Sequence, residues 1–216
     1  MVMIARKISG PPVEPISLAD ARIYLRQDVP GYSGDSIQDP LLLSFIRAAR
    51  AVCEKEMDKV IGPQQFVTAL AGFGPLAYCY SGYGYPTPYT LPTGPVRSID
   101  EIRYRLDGQS YNVLADSVYT LTSEGRIALA YGMAWPLAGY AADSVLITYT
   151  AGMGYPTDSD IGVEKIEDDV LVAMRLLIGH FWGNRSAVVE ALGGGLQELP
   201  MGVKSLLWPN RASIGI

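Results

Sequence analysis

The strongest helical signal in the sequence is DPLLLSFIRAARAVCEKEMDKV, which spans residues 39–60. Its apolar residues recur every three or four positions, the spacing that places them on one face of an α-helix. Arg50 and Glu54 lie on the opposite side, four residues apart, where they can pair along the helix. Asp39 can cap this helix, and Pro40 suits its first turn. The segment is therefore predicted to be an amphipathic helix with a buried apolar face.

Helices are also predicted on both sides of this segment. Ser17 and Asp20 fit a capping box, in which the two side chains satisfy free amides of the first turn, so a short helix begins there. A longer helix, VEKIEDDVLVAMRLLIGHFWGNR, covers residues 163–185 and has an apolar stripe at helical spacing. Its acidic residues lie near the N-terminus, where negative charge meets the positive end of the helix dipole. A last amphipathic stretch covers residues 200–207.

Short strands are predicted between the helical segments. Ile102 and Tyr104 alternate with arginines, and Asp107-Gly108 behind them is typical of a hairpin turn. The other strand signals are residues 66–73, 111–114, 118–122, 126–130 and 145–150. These segments predict a small, mostly antiparallel β unit.

The order of helices, then strands, then helices predicts an α+β fold. We expect a helical bundle, in which the N-terminal and C-terminal helices pack together, with a small antiparallel β unit inserted between them. Residues 1–62 would form an N-terminal arm and helices, residues 63–162 the β unit with a Tyr/Gly/Pro-rich loop, and residues 163–216 a C-terminal helix and tail. All three would belong to a single compact subunit.

Composition excludes several classes of protein. The chain has 216 residues, 49% hydrophobic residues and a formal net charge of −5, so it is not intrinsically disordered as a whole. An acidic chain is poorly suited to coat DNA without sequence preference, because that needs a surplus of Lys and Arg. The longest uncharged segment, residues 60–96, is interrupted by Pro and Gly and cannot span a bilayer as a helix. We expect a protein made in a reducing cytosol without a membrane anchor.

The candidate reactive side chains are few. Two cysteines, Cys53 and Cys79, are too few for a disulfide framework or a zinc ribbon. His180 is the sole histidine and lies within the apolar helix, where a structural histidine is favoured over a catalytic one. Residues 158–162 depart from the spacing of a calcium loop, and the glycines at 193–195 lack the Lys-Ser/Thr of a phosphate loop. We therefore expect no enzymatic activity, no cofactor and no metal.

Two segments are candidates for partner binding. Residues 72–92 form a tyrosine-rich loop, and its tyrosines suit a protein interface because they combine an apolar body with a polar tip. An insertion without a partner is an equally open interpretation, and nucleic-acid stacking is disfavoured because no Lys or Arg lies between residues 59 and 97. The C-terminal apolar residues either fold back on the core or dock on a partner. The candidate residues are Tyr78, Tyr80, Tyr83, Tyr85, Tyr89, Leu206, Leu207 and Trp208.

Taken in order, the motifs of the chain resemble those of a known family. They are Pro11–Ala21, Ala48-Ala49-Arg50, Leu91-Pro92, Pro95-Val96, Trp135-Pro136, Val145–Gly152, His180–Arg185 and Leu199–Pro209. This order, over residues 11–211, resembles that of the head–tail connector proteins of tailed bacteriophages and prophages, also called adaptor or head-completion proteins. The long Tyr/Gly/Pro loop is a departure from the family pattern.

The resemblance implies a structural role in the neck of the virion, for a protein made in the cytoplasm of a bacterial host. Family members form a ring, typically of twelve subunits, beneath the portal protein. The ring extends the channel used in DNA packaging and ejection, through which DNA passes without sequence-specific binding, and offers a docking platform to the next neck or tail-completion protein. The C-terminal segment commonly reaches the portal. The alternatives are another phage structural protein, such as a tail or baseplate binding module, and an unrecognised enzyme.

Overall fold

The structure is a computed structural model that describes residues 5–26, 38–74, 88–155, 165–184 and 201–212. The chain forms two compact units. A sheet unit consists of Met1–Pro12, Pro63–Gly154 and Ser159–Glu164, and a helical unit consists of Val13–Gly62, Tyr155–Asp158 and Lys165–Ile216.

The sheet unit contains two antiparallel sheets. The larger sheet has the order β1-β2-β8-β4-β5, and the smaller sheet has the order β3-β7-β6. The strands are β1 (Ala5–Ser9), β2 (Gln64–Leu70), β3 (Tyr89–Thr90), β4 (Val96–Tyr104), β5 (Asn112–Val113), β6 (Tyr119–Leu121), β7 (Arg126–Leu129) and β8 (Val145–Ala151), with a 3₁₀ turn at Asp116–Val118. Strand β8 is central, because it pairs with β2 on one side and with β4 on the other.

The buried residues of the larger sheet lie mainly on its central strands. Along β8 every second residue is buried, which is the period expected when one face of a strand is covered. Phe66 on β2 is the cross-strand partner of Tyr149 on β8, and their rings stack with centroids 5.9 Å apart. Such pairs of aromatic residues stabilise a sheet beyond the area they bury.

The helical unit contains α1 (Leu18–Tyr24), α2 (Asp39–Met57), α3 (Asp168–Gly183) and α4 (Met201–Leu207), followed by a 3₁₀ turn at Trp208–Asn210. Helix α3 packs against α1, α2 and α4. The Ser17 half of the capping box predicted for α1 is confirmed, because the amide of Asp20 donates to Oγ of Ser17 at 3.0 Å. The carboxylate of Asp20 accepts from the Ser17 hydroxyl at 2.7 Å instead of from an amide. Phe45 of α2 meets Phe181 of α3 at a centroid distance of 6.0 Å.

The predicted Arg50–Glu54 pair on α2 is confirmed, but the predicted position of Arg50 opposite the apolar face is wrong, because Arg50 is buried with the apolar residues of the helix. The pair belongs to a larger network. Nη1 of Arg50 donates to Oε1 of Glu54 at 3.0 Å, and Nε of Arg50 donates to Oε2 of Glu14 at 2.8 Å. The amide of Ile61 donates to Oε1 of Glu54 at 3.0 Å. A buried guanidinium requires such partners, because leaving it unpaired away from water costs several kcal/mol, on the order of 3–5.

The expected helical bundle with a small inserted β unit is wrong. The described residues form eight strands in two antiparallel sheets beside four helices, so the fold is mixed and rich in sheet. Residues 5–9, which we assigned to an arm, form β1 and pair with residues 65–68 of β2. This pairing joins segments about sixty positions apart, and β1 is an edge strand whose residues are mostly exposed, so it lacks a local hydrophobic pattern.

Asp39 has a different role from the predicted cap. It is the first residue of α2, and the residue before it, Gln38, makes no side-chain cap. The carboxylate of Asp39 accepts a hydrogen bond from Arg22 of α1 instead. This ion pair joins the first two helices.

Among the described helices, none has the length and apolar character needed to cross a membrane.

Candidate functional site

The C-terminal segment, residues 201–212, has one side in the core of the helical unit and one side in solvent. Val203 and Leu207 are buried, and Leu207 exposes only 1% of its surface. Trp208, the next residue, exposes 70%. Leu206 is partly exposed. Leu207 therefore folds back on the core, which is one of the two outcomes expected for this tail. Trp208 is exposed, and its predicted partner contact is not tested.

Hydrogen bonds hold the segment that carries Trp208. The amide of Ala212 donates to the carbonyl of Met57 at the end of α2, at 2.8 Å. Nδ2 of Asn210 donates to Oδ2 of Asp169 near the start of α3, at 2.6 Å. The guanidinium of Arg211 lies 5.3 Å from the centroid of the Trp208 ring. The backbone that carries Trp208 is thus held by the buried Leu207 before it and by the bonds of Asn210 and Ala212 after it.

The tyrosine-rich loop is only partly described. Tyr78, Tyr80, Tyr83 and Tyr85 lie outside the described residues. Tyr89 belongs to β3, where it pairs with Ile127 of β7, and its side chain is buried. Tyr89 therefore contributes to the core of the smaller sheet in the structure, and its predicted partner contact is not tested.

The candidate reactive groups lie in packed surroundings. Nδ1 of His180 lies 3.1 Å from Nδ2 of Asn184 at the C-terminal end of α3. Cys53 is buried in α2, and this burial, with the charges of Glu54 and Glu56, raises the pKa of its thiol to about 12. In the part of the chain that the structure describes, no three His, Cys, Asp or Glu residues gather as a metal would require.

A surface that the sequence analysis missed lies between β7 and β8. Residues 130–142, which we call the apolar loop, read AYGMAWPLAGYAA and contain no charged residue. Tyr131 is fully exposed, Tyr140 exposes 86% of its surface and Leu137 exposes 76%. Four exposed large apolar side chains, those of Tyr131, Met133, Leu137 and Tyr140, thus fall within one short segment. Clusters of exposed apolar residues mark binding surfaces more often than single ones do.

Hydrogen bonds from backbone amides fix the end of the apolar loop. The carboxylate of Asp107 accepts hydrogen bonds from the amides of Tyr140 at 3.2 Å and Ala141 at 3.1 Å. The amide of Gly139 donates to the carbonyl of Arg105 at 2.8 Å. A Cβ atom at Gly139 would collide with the carboxylate of Asp107 and lie 2.7 Å from its backbone nitrogen, so only glycine fits there.

Side chains fix the same region. Nη2 of Arg105 donates to both carboxylate oxygens of Asp143, at 2.8 and 2.7 Å, and this bond holds the pKa of Asp143 below its ordinary value. The hydroxyl of Tyr111 donates to the carbonyl of Asp143 at 2.8 Å. Within the loop, Trp135 stacks on Phe73 with centroids 5.1 Å apart. The loop is therefore both apolar and held in place.

One signal in the sequence could have identified this loop. It is the connection between two predicted strands, residues 131–144, which is longer than an ordinary hairpin turn and has Asp143 as its only charged residue. Asp107-Gly108 was recognised as a turn, but its carboxylate bonds with residues 140 and 141 depend on folding. Such contacts between distant segments leave no local pattern.

The sequence matches no protein-family model and no curated protein. Solved structures, however, contain chains of the same fold. One is in the neck of an empty gene transfer agent (GTA) particle computed with C6 symmetry, at TM-score 0.69. This chain has the fold of a gene transfer agent neck chain. A chain from the virion of a native GTA particle gives TM-score 0.68, and one from the neck of a native GTA particle computed with C12 symmetry gives 0.65. Each is 22% identical and the matches cover 99% of this chain and 98% of the other.

Proposed function

We propose that this chain is a non-enzymatic structural component of the neck of a phage-like virion, acting as the head-to-tail adaptor. In this role it forms a ring beneath the portal, extends the DNA channel and offers a docking platform to the next neck or tail component. The observation that carries the proposal is the shared fold with GTA neck chains over 99% of the sequence. The order of motifs that resembles the connector family supports it independently.

Cyclic assembly is compatible with the properties of the chain. The neck structures that share the fold were computed with C6 and C12 symmetry. A ring joins one surface of each subunit to a different surface of its neighbour, and many such contacts act together. The net charge of −5 supports a channel through which DNA slides, since an acidic surface does not neutralise phosphates.

Trp208 is the residue that we assign to the portal contact. Tryptophan is enriched among the few interface residues that contribute most of the binding energy. Here it is exposed on a segment that is already ordered by its hydrogen bonds to α2 and α3. Binding through Trp208 would therefore require little further ordering of the chain.

Electron microscopy of the purified chain, alone and with its own portal protein, tests the proposal. Free rings or collars on the portal are the expected result. Attachment to tails alone would favour a tail or baseplate component. Turnover of a small molecule by the isolated chain, or virions that join heads to tails normally without it, would refute the adaptor role.

A further inference from the structure

We propose that the apolar loop, residues 130–142, is a contact surface between neighbouring copies of this chain. The inference deepens the proposed function and rests on it, because it names the surface through which the ring closes. The loop belongs to the sheet unit, whereas the portal contact assigned above uses Trp208 of the helical unit.

The exposed side chains of the loop favour a protein partner. Tyr131, Leu137 and Tyr140 have most of their surface in water, and Met133 is also exposed. Tyrosine and methionine are enriched in protein interfaces, while charged residues are depleted from interface cores. No Lys or Arg occurs in residues 130–142, so the loop has no cation with which to bind the phosphates of DNA.

The net charge of the chain indicates which protein binds the apolar loop. Each copy carries a net charge of −5, so copies placed side by side in a ring repel one another wherever their acidic surfaces meet. A surface without charge allows two copies to touch without that cost. Each member of a cyclic ring covers part of its surface with its neighbours, and an exposed uncharged surface is suited to that contact. The structures that share this fold are of necks computed with C6 and C12 symmetry. The second copy is therefore the occupant that we assign.

The anchors of the loop support the same assignment. Asp107 holds the amides of Tyr140 and Ala141, and Arg105 holds Asp143 immediately after the loop. These contacts order the loop before any partner arrives, which reduces the entropy lost on association. The apolar surface is thus ordered while it is still exposed, which suits a subunit that binds its neighbour later.

Charge insertion into the loop tests the proposal. Tyr131→Glu and Leu137→Glu change exposed side chains, so circular dichroism and melting should match the wild type. We expect each variant to need at least about tenfold more protein to form rings, measured by native mass spectrometry with and without portal, since buried interface anchors dominate binding. Val113→Glu is the matched control, because Val113 is 64% exposed in the same unit outside the loop.

A labelling experiment gives a positive readout. Leu137→Cys, in a Cys79→Ser background, places a reactive thiol on the loop, while Cys53 remains buried. Ring formation should slow thiol labelling at position 137 at least about tenfold, as expected for a fully covered interface core. Val113→Cys should label equally fast before and after assembly.

The outcomes separate this inference from the adaptor proposal. Rings that form equally well with Tyr131→Glu and Leu137→Glu, or unchanged labelling at position 137, would overturn the loop assignment and leave the adaptor role intact. Variants that form normal rings yet lose a tail or neck protein would also overturn it, because the loop would then belong to another partner. A wild-type chain that forms no ring, alone or on its portal, would overturn both.

Discussion

Leu207 and Trp208 are adjacent in the sequence but are expected to respond in opposite ways to substitution by alanine. Leu207 exposes 1% of its surface, and replacing a buried leucine by alanine costs about 2–5 kcal/mol. Trp208 exposes 70% of its surface, and the Arg211 guanidinium lies 5.3 Å from the centroid of its ring. Such a cation–π contact at an exposed site is worth about 0.5–1 kcal/mol. Leu207→Ala should therefore destabilise the fold strongly, and Trp208→Ala only slightly.

Portal binding should show the reverse order of effects. If Trp208 is a central interface residue, its loss costs at least about 2 kcal/mol of binding, which is roughly a thirtyfold increase in Kd. Urea unfolding followed by circular dichroism measures the free energy of unfolding, with an unchanged slope as the control for two-state behaviour. Portal binding is then measured below the unfolding transition. The volume-conserving Leu207→Met should retain both stability and binding.

Two results would refute this reasoning. If Trp208→Ala loses as much stability as Leu207→Ala, the indole belongs to the core and is not available to bind the portal. If Trp208→Ala keeps full affinity for the portal, the C-terminal segment is structural only. Deletion of the whole tail cannot make this distinction, because it removes the buried Val203 and Leu207 together with Trp208.

Three further predictions concern the loop anchors and the buried thiol. Gly139→Ala should lower the free energy of unfolding by about 1–3 kcal/mol, measured in urea, because overpacking forces backbone shifts; a neutral result would contradict the close approach to Asp107. The pKa of Asp143 is lowered in the folded state, so its contribution is present above the ordinary value of 3.8 and is lost as the pH falls through the lower folded pKa. The urea midpoint of Asp143→Asn should consequently depend less on pH in that acidic window than the wild-type midpoint. With its pKa raised to about 12, Cys53 should resist iodoacetamide at pH 8 in a Cys79→Ser variant until urea unfolds it; rapid labelling of the folded protein would contradict its burial.

Local signals account for the parts of the fold that were predicted correctly. The cap at Ser17, the Arg50–Glu54 pair and the strand at residues 145–150 each depend on residues that are close in sequence. Helix periodicity and strand alternation are visible for the same reason. The sequence also indicated the apolar C-terminal segment, although it left open which of its side chains are buried.

The rest of the fold depends on contacts between distant segments. Strand β1 is exposed along most of its length and is defined by its pairing with β2. Glu14 completes the network of Arg50 from thirty-six positions away. Neither contact has a periodic signature, so the extent of the sheets was underestimated and the helices were given too large a share of the fold.

Exposure alone does not identify a binding surface, because single exposed apolar residues are common on folded proteins. Val13 and Ile23 are examples in this chain. Ile23 also lies on ordered backbone, within α1, so anchoring alone does not distinguish Trp208 and the apolar loop. The apolar loop differs because four exposed large apolar side chains fall within thirteen uncharged residues. Trp208 differs because tryptophan is enriched among the interface residues that contribute most of the binding energy. A subunit that assembles late must remain soluble before it meets its partners and must bind without ordering a long segment. Fixed but exposed apolar side chains meet both demands, because they are few enough to tolerate in water and need little ordering on contact. Both surfaces thus combine large exposed apolar side chains with backbone that is ordered before any partner binds.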